Sequence, residues 1–207
     1  QHKIRVVAGD IGGSFGMKGG TYVEFVLVLW ASKRLGRPVK WISDRSEAFS
    51  SDNHARDNLS EASLALDANG KFLALEVSTV VNLGAYLASK GPVPAISNLG
   101  SLAGVYTTPA IYVNVIGVFT NTNSTAPYRG AGRPESSYIV ERMIDIAALE
   151  LGIDRTELRR RNTIPVEAMP YKTALTFTYD SGAFEKNLDD ALALSDYADF
   201  ELRRIEA

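Results

Sequence analysis

The pattern of apolar and polar positions changes character several times along the chain. Residues 3–8 (KIRVVA) read as a buried strand. After a glycine-rich stretch, TYVEFVLVLWASKRL carries apolar residues at 23, 26, 27, 30 and near 35. That is the helical period, and Gly36 with Pro38 beyond it predicts the stop. PVKWI at 38–42 predicts a second strand, and Trp30 and Trp41 are expected in the core. Residues 59–82 alternate instead, around Asn69-Gly70, so a β-hairpin with a type I′ turn is predicted.

Residues 84–108 are rich in Gly, Pro and Ser with weak periodicity, which predicts loop with one short helix. AIYVNVIGVFT at 110–120 predicts another strand. The segment SSYIVERMIDIAALELG predicts a helix stopped by Gly152, and Asp154 with Glu157 a capping box for a short helix over TELRRRN. Asp180-Ser181 is expected to begin a last amphipathic helix.

Composition narrows the chemistry. The 207 residues are 45% hydrophobic and 22% charged, enough for a sizeable core. A formal charge of −2 provides no basic field for nucleic acid or anionic lipid. There is no cysteine, which excludes disulfides, a thiol nucleophile and any iron–sulfur cluster held by this chain. With only His2 and His54, a histidine-built zinc site is not expected, and His54 is assigned a structural, hydrogen-bonded role. No apolar stretch reaches the length of a membrane span. The chain opens on Gln without a signal-peptide pattern and ends on FELRRIEA, so a piece of a longer polypeptide is expected.

Two segments share a logic in which a strand delivers a glycine-rich loop and a helix leaves it. The first, GDIGGSFGMKGG at 9–20, holds six glycines but matches neither Gly-x-Gly-x-x-Gly in register nor the P-loop, since Lys18 is followed by Gly19. Bare amides at a helix start suit phosphate or pyrophosphate; the alternative is a tight turn with no ligand. The second, PYRGAGRPE, sets Arg129 and Arg133 four residues apart. Either the pair clamps an anion, or Arg133 pairs with Glu135 or caps a helix end. Arg159 to Arg161 read as a solvated helix face or a contact with another part of the protein.

These segments carry a family likeness. GGSFGMK at 12–18, RLGRPVKWISDRSE at 34–47 with HARD at 54–57, LDANGKFLALEVSTVVNLGAY at 66–86, YTTPAIYVNV at 106–115, APYRGAGRPE at 126–135 and ERMIDIAALELGIDRTELRRRN at 141–162 resemble, in order, the molybdenum-binding large subunit of the molybdenum hydroxylases. That family includes xanthine dehydrogenase, aldehyde oxidoreductase and aerobic carbon monoxide dehydrogenase. The resemblance implies an α+β fold of mixed sheets with packed helices. Residues 1–207 would form the first half of a molybdopterin-binding region, with a sub-boundary near 165–180.

The resemblance also implies a site. Gly12, Gly13, Phe15 and Gly16 would approach a molybdopterin cofactor, in its cytosine dinucleotide form, with Phe15 beside the molybdenum. Arg129, followed by Gly130, would face the metal through its backbone from the other side. The metal would be held by the dithiolene of the pterin and by no protein side chain. The implied reaction is hydroxylation of an aldehyde or N-heterocycle with water as oxygen source, its electrons passing through 2Fe–2S clusters to FAD on partner subunits. The family's base glutamate lies far towards the C-terminus of the large subunit, and no segment here matches it. The chain is therefore expected to be inactive alone, cytoplasmic, and joined to the remaining half of the large subunit, an FAD-binding subunit and an iron–sulfur subunit. The alternative is a structural or assembly subunit that has lost cofactor binding.

Departures from the family bear on substrate. Carbon monoxide dehydrogenase proper has a copper-bridging cysteine where this sequence has Gly130. Where xanthine dehydrogenases place a glutamate, an arginine and a phenylalanine against a purine, the matching positions here are Gly19, Ser97 and Ala131. An aldehyde or a non-purine heterocycle is expected. Tyr86 and Tyr106 flank the long loop and are candidates for the substrate channel.

Overall fold

Alternation in the middle of the chain builds the sheet on which everything else is mounted. The computed structural model describes residues 3–96 and 99–207. In chain order the main elements are α1 (Val23–Leu35), α2 (Arg45–Ser51), β1 (Asn58–Leu66), β2 (Phe72–Gly84), α3 (Val93–Ile96), β3 (Ile111–Phe119), α4 (Arg133–Leu151), α5 (Arg155–Asn162), β4 (Tyr171–Lys172), β5 (Thr178–Tyr179), α6 (Phe184–Leu194) and α7 (Phe200–Glu206). The fold is α+β, as expected. β1 and β2 pair antiparallel, β2 and β3 pair parallel, and β4 with β5 forms a separate two-stranded ribbon. A parallel pair needs a long crossover, and the loop after Gly84, with α3 inside it, provides one.

The odd positions of β2 supply one buried face, with Leu75, Val77, Thr79 and Val81 all buried. Against it lies α4, which presents Val140, Ile144, Ala147 and Ala148 at helical spacing. Tyr106 and Phe72 close one end, with rings edge-on at 5.6 Å. Burial, and then Glu141, push the Tyr106 phenol above its ordinary range, and its hydroxyl donates to Glu141 at 2.8 Å. Tyr106 is thus a neutral residue buried in the core. Tyr86, by contrast, is exposed.

The hairpin turn differs from the type I′ turn that Asn69-Gly70 suggested. That turn needs positive φ at both central residues. Here Gly70 has φ 79° but Asn69 is not among the positive-φ residues. The loop spans five residues because the Asp67 carboxylate collects the amides of Asn69 and Lys71, each at 2.8 Å. That Asx geometry outcompetes the two-residue turn.

α5 begins at Asp154 as its sequence predicts, but only half of the capping box forms, because the Glu157 side chain pairs with Arg161. The Asp154 carboxylate accepts from the Thr156 and Glu157 amides, and the Thr156 hydroxyl, followed by those amides, holds its pKa below the ordinary value despite some burial. Its three arginines are neither a solvated face nor idle. Arg159 pairs with Glu141 and Asp145 of α4 at 2.8 and 3.0 Å. Arg160 reaches Glu185 and Asp189 of α6, while Arg161 pairs with Glu157 and donates to the Asn69 carbonyl. Consecutive positions on a helix point in different directions, so one short run ties α5 to three elements. α6 starts later than Asp180-Ser181. Ser181 donates to Asp180 itself, and the helix begins at Phe184 without a side-chain cap.

Both flanking strands fail to form. Residues 4–10 and 38–42 lie in no ladder, and Ile4, Val6, Val7 and Ile42 are more than 70% exposed. An apolar run becomes a strand only where another strand meets its amides and carbonyls, and none of the described residues does so. α1 does form, yet no residue in it is buried. Trp30 and Trp41 are 60% and 39% exposed, contrary to the expected core placement.

The joint between sheet and α5 is Asn162, which is fully buried. Its side chain accepts from the Phe72 amide at 2.8 Å and donates to the carbonyls of Gly70 and Leu158 at 2.8 and 2.9 Å. Asn162→Ala strands a buried amide and a buried carbonyl, and about 2–4 kcal/mol of stability should be lost. Urea unfolding of the two proteins side by side measures this; a loss near zero would remove Asn162 from its role.

Candidate functional site

Both glycine loops converge on one place because each is forced there by close backbone packing. The second loop rises from the end of the sheet. β2 ends at Gly84, where a Cβ would lie 2.4 Å from the Ser124 Cα, so only glycine lets the chain at 123–124 pass. Ser124, Thr125 and Ala126 are buried there. The His54 amide donates to the Ser124 carbonyl at 2.9 Å, and the Ala126 amide returns to the His54 carbonyl at 2.8 Å. Thr125 Oγ1 donates to the Asn82 carbonyl at 2.7 Å. His54 acts through its backbone, and its ring Nε2 lies 3.3 Å from the Asn123 amide nitrogen. The structural reading of this histidine holds.

Beyond Ala126 the chain turns sharply. Gly130, Ala131 and Gly132 have φ of 87°, 26° and 90°, three successive residues in a region that favours glycine. Ala131 donates its amide to the Tyr128 carbonyl at 2.7 Å. Gly132 donates to the Glu135 carboxylate at 3.0 Å, starting α4. Glu135 therefore serves Gly132, together with Arg56 at 3.7 Å, where a pairing with Arg133 was one expectation. Arg133 is exposed at the first turn of α4.

The first loop meets this turn edge to edge. The Arg129 amide donates to the Phe15 carbonyl at 2.9 Å. A Cβ on Gly16 would lie 2.7 Å from the Pro127 carbonyl oxygen, and Gly16 has φ 101°. Phe15 itself adopts φ 52°, unusual for a bulky residue, and its ring sits 6.2 Å from that of Tyr128 while remaining 55% exposed. Gly12, Gly13, Phe15, Gly16, Arg129 and Gly130 thus come together. Gly19 closes a turn on the Gly16 carbonyl at 3.2 Å. Ala131 sits within the second turn, and Ser97 lies outside the described residues.

A cleft of about 540 Å³ opens against the first loop, lined among others by Gly12, Gly13, Phe15, Lys18, Arg45 and Tyr128. The amides of Gly12, Gly13, Ser14 and Phe15 donate to no acceptor among the described residues. Lys18 and Arg45 are the basic residues of its lining, with Asp52 the acidic residue on its wall. A second cleft of about 720 Å³ lies beyond it, where Tyr86 faces Tyr22, Glu24 and Asn123. Tyr22 donates to Asp52, and burial followed by that contact pushes its phenol above the ordinary range. Among the described residues, no cluster of three His, Asp or Glu side chains could hold a metal ion.

Sequence reading missed the residue that binds this corner together. The Arg56 guanidinium lies over the Tyr128 ring, 5.0 Å from its centre, and donates to the carbonyls of Tyr128 and Arg129. Its φ is 60°. The only signal was the segment HARD, with no chemistry attached to its arginine.

Comparison with known proteins shows the family. The molybdopterin cofactor-binding domain family matches residues 1–163. The chain is 40% identical over 200 residues to the carbon monoxide dehydrogenase large chain of Hydrogenophaga pseudoflava, covering 95% of this chain and 25% of that one. It is 36% identical over 211 residues to the 6-hydroxypseudooxynicotine dehydrogenase complex subunit gamma of Paenarthrobacter nicotinovorans, covering 99% and 27%. Quinoline 2-oxidoreductase from Pseudomonas putida 86 superposes with a TM-score of 0.89 at 36% identity, over 95% of this chain and 25% of that one. The chain spans about a quarter of the length of these relatives. It belongs to the molybdopterin-binding large-subunit family of the carbon monoxide dehydrogenase, xanthine dehydrogenase and aldehyde oxidoreductase enzymes.

Proposed function

We propose that this chain supplies the two loops that seat a molybdopterin cofactor in a molybdenum hydroxylase. The observation that carries the reading is the hydrogen bond from the Arg129 amide to the Phe15 carbonyl, which brings both glycine loops to one corner. The residues present fit such a group. The free amides from Gly12 to Phe15, with Lys18 and Arg45 in the lining of the same cleft, suit the phosphates of a dinucleotide form such as the cytosine dinucleotide. When bound, the molybdenum centre supplies Lewis acidity and a two-electron acceptor for hydroxylation with water as oxygen source. Phe15, at the exposed tip of the first loop, walls the reaction centre, and Gly130 lets the second loop turn tightly against Pro134.

The chain's own residues orient and enclose; none is assigned a proton-transfer role. The base glutamate, the FAD and the 2Fe–2S clusters belong to the remaining half of the large subunit and to partner subunits, so the chain is not catalytic alone. Helix α1 supports that arrangement, since Val23, Phe25, Val26, Leu27, Leu29 and Trp30 are all exposed and a contiguous apolar surface of that kind is normally covered in a larger body. A sub-boundary between Pro165 and Asp180 is part of the same reading. The family match stops at residue 163, and the β4–β5 ribbon follows it. We place the complex in the cytoplasm; no helix among the described residues is long and apolar enough to cross a membrane.

For substrate we propose an aldehyde or a non-purine N-heterocycle. Gly19 and Ala131 offer a purine neither carboxylate nor ring, and Gly130 offers copper no thiolate. One relative is named for quinoline, an N-heterocycle that is not a purine. The second reading, an assembly subunit that has lost the cofactor, has no structural feature in its favour.

Three outcomes follow. The complex purified with its partner subunits should contain stoichiometric molybdenum and cytosine nucleotide; their absence would favour the assembly subunit. Its kcat/KM for xanthine should fall at least about 100-fold below that for its best aldehyde or heterocycle, because polar partners set discrimination. Comparable values would overturn the substrate class. Gly16→Ala should drive the loops apart through its contact with Pro127 and backbone strain of about 1–3 kcal/mol, so the complex should lose most of its molybdenum. Full metal content in that variant would separate the junction from cofactor binding.

A further inference from the structure

We infer that Arg56 is a positioning residue that fixes the peptide at Arg129, and with it the face the second loop turns to the cofactor. The inference rests on the proposed cofactor site. One guanidinium makes four distinct contacts within that loop and the helix after it. Its Nη2 donates to the carbonyls of Tyr128, at 3.4 Å, and of Arg129. Its Cζ lies over the Tyr128 ring, 5.0 Å from the centre. Its Nε stands 3.7 Å from Glu135, the carboxylate that receives the Gly132 amide at 3.0 Å. Both ends of residue 129 are thereby held, its amide by the Phe15 carbonyl and its carbonyl by Arg56.

The loop needs such a holder. Gly130, Ala131 and Gly132 lie at positive φ, and two glycines in three residues leave the backbone many other conformations. No strand or helix spans residues 120–132 to supply ladder bonds. Arg56 is itself well anchored. Two residues before it, His54 exchanges backbone hydrogen bonds with Ser124 and Ala126, at the base of the same loop. The strap that fixes the loop's root therefore also carries the group that fixes its tip. At φ 60° the Arg56 backbone is unusual, consistent with a side chain aimed by its surroundings.

A planar fork is required here. It can hold the loop carbonyls and a carboxylate while stacking on a ring, whereas a lysine ammonium is a point donor on a flexible stem. The test uses the full-length large subunit in its complex, as wild type, Arg56→Lys and Arg56→Gln. Arg56→Lys keeps the charge and so guards against simple misfolding. Three readouts are taken: molybdenum content, amide hydrogen exchange across residues 126–133, and the Mo(V) electron paramagnetic resonance spectrum.

In Arg56→Lys we expect exchange in that segment to rise about tenfold or more, while the β1–β2–β3 amides keep wild-type protection. Molybdenum content should stay near wild type and the Mo(V) line shape should change; Arg56→Gln should show the larger exchange effect. Wild-type exchange together with a wild-type spectrum in Arg56→Lys would overturn the inference. So would a rise in exchange that extends equally over the sheet, which would make Arg56 a general structural residue. A wild-type complex without molybdenum would instead overturn the proposed function, and exchange at 126–133 would still decide whether Arg56 holds the loop.

Discussion

The amide of Arg129 and the carbonyl of Phe15 are more than a hundred positions apart in sequence, and the corner on which the proposed site is built depends on their meeting. Neither loop has regular structure to define its path. The first leaves a segment with no ladder partner among the described residues, and the second leaves a strand edge. Their relative position is set by one backbone hydrogen bond and by the absence of a side chain at Gly16, which lets the chains touch. A hydrogen bond in a water-accessible corner is worth little alone, about 0.5–1.5 kcal/mol. It becomes decisive because the surrounding geometry admits few alternatives.

That geometry is inherited from the sheet. β2 carries the core on one face and ends in Gly84, where the second loop crosses it too closely for any side chain. Asn162 joins the hairpin to α5, and the three arginines of α5 join it to α4, α6 and the turn. α4 packs on β2 and begins at the second loop. The rigid part of the molecule therefore leads directly to the part that must hold its shape without secondary structure. By contrast, α1 and the apolar runs beside it are supported by little of what is described.

Much of this was legible in the sequence where the cause is local. The alternation of 59–82, the helical period of α4 and the carboxylate of Asp154 each act within a turn or a strand pair, and each formed as read. Where a local rule had a local competitor, reading went wrong: Asp67 reshaped a turn that Asn69-Gly70 would have made tighter. Where the cause was distant, there was little to read. The strands at 3–8 and 38–42 lack partners, and Trp30 and Trp41 lack cover. Arg56 reaches carbonyls 72 and 73 positions away, with no periodicity or motif to announce it.

The sequence by itself determined the central elements β1, β2, β3, α4 and α5, the glycine content of both loops and the family likeness they carry, because propensity, capping and backbone permissiveness are properties of neighbouring residues. Only the tertiary structure decided which carbonyl meets which amide, that Gly16 is needed for contact with Pro127, and that Glu135 serves Gly132 and Arg56 in place of Arg133. Those outcomes depend on how separate elements are brought within about 3 Å of one another, the reach of a hydrogen bond. No pattern along the chain encodes that distance until the sheet and α4 have fixed the frame.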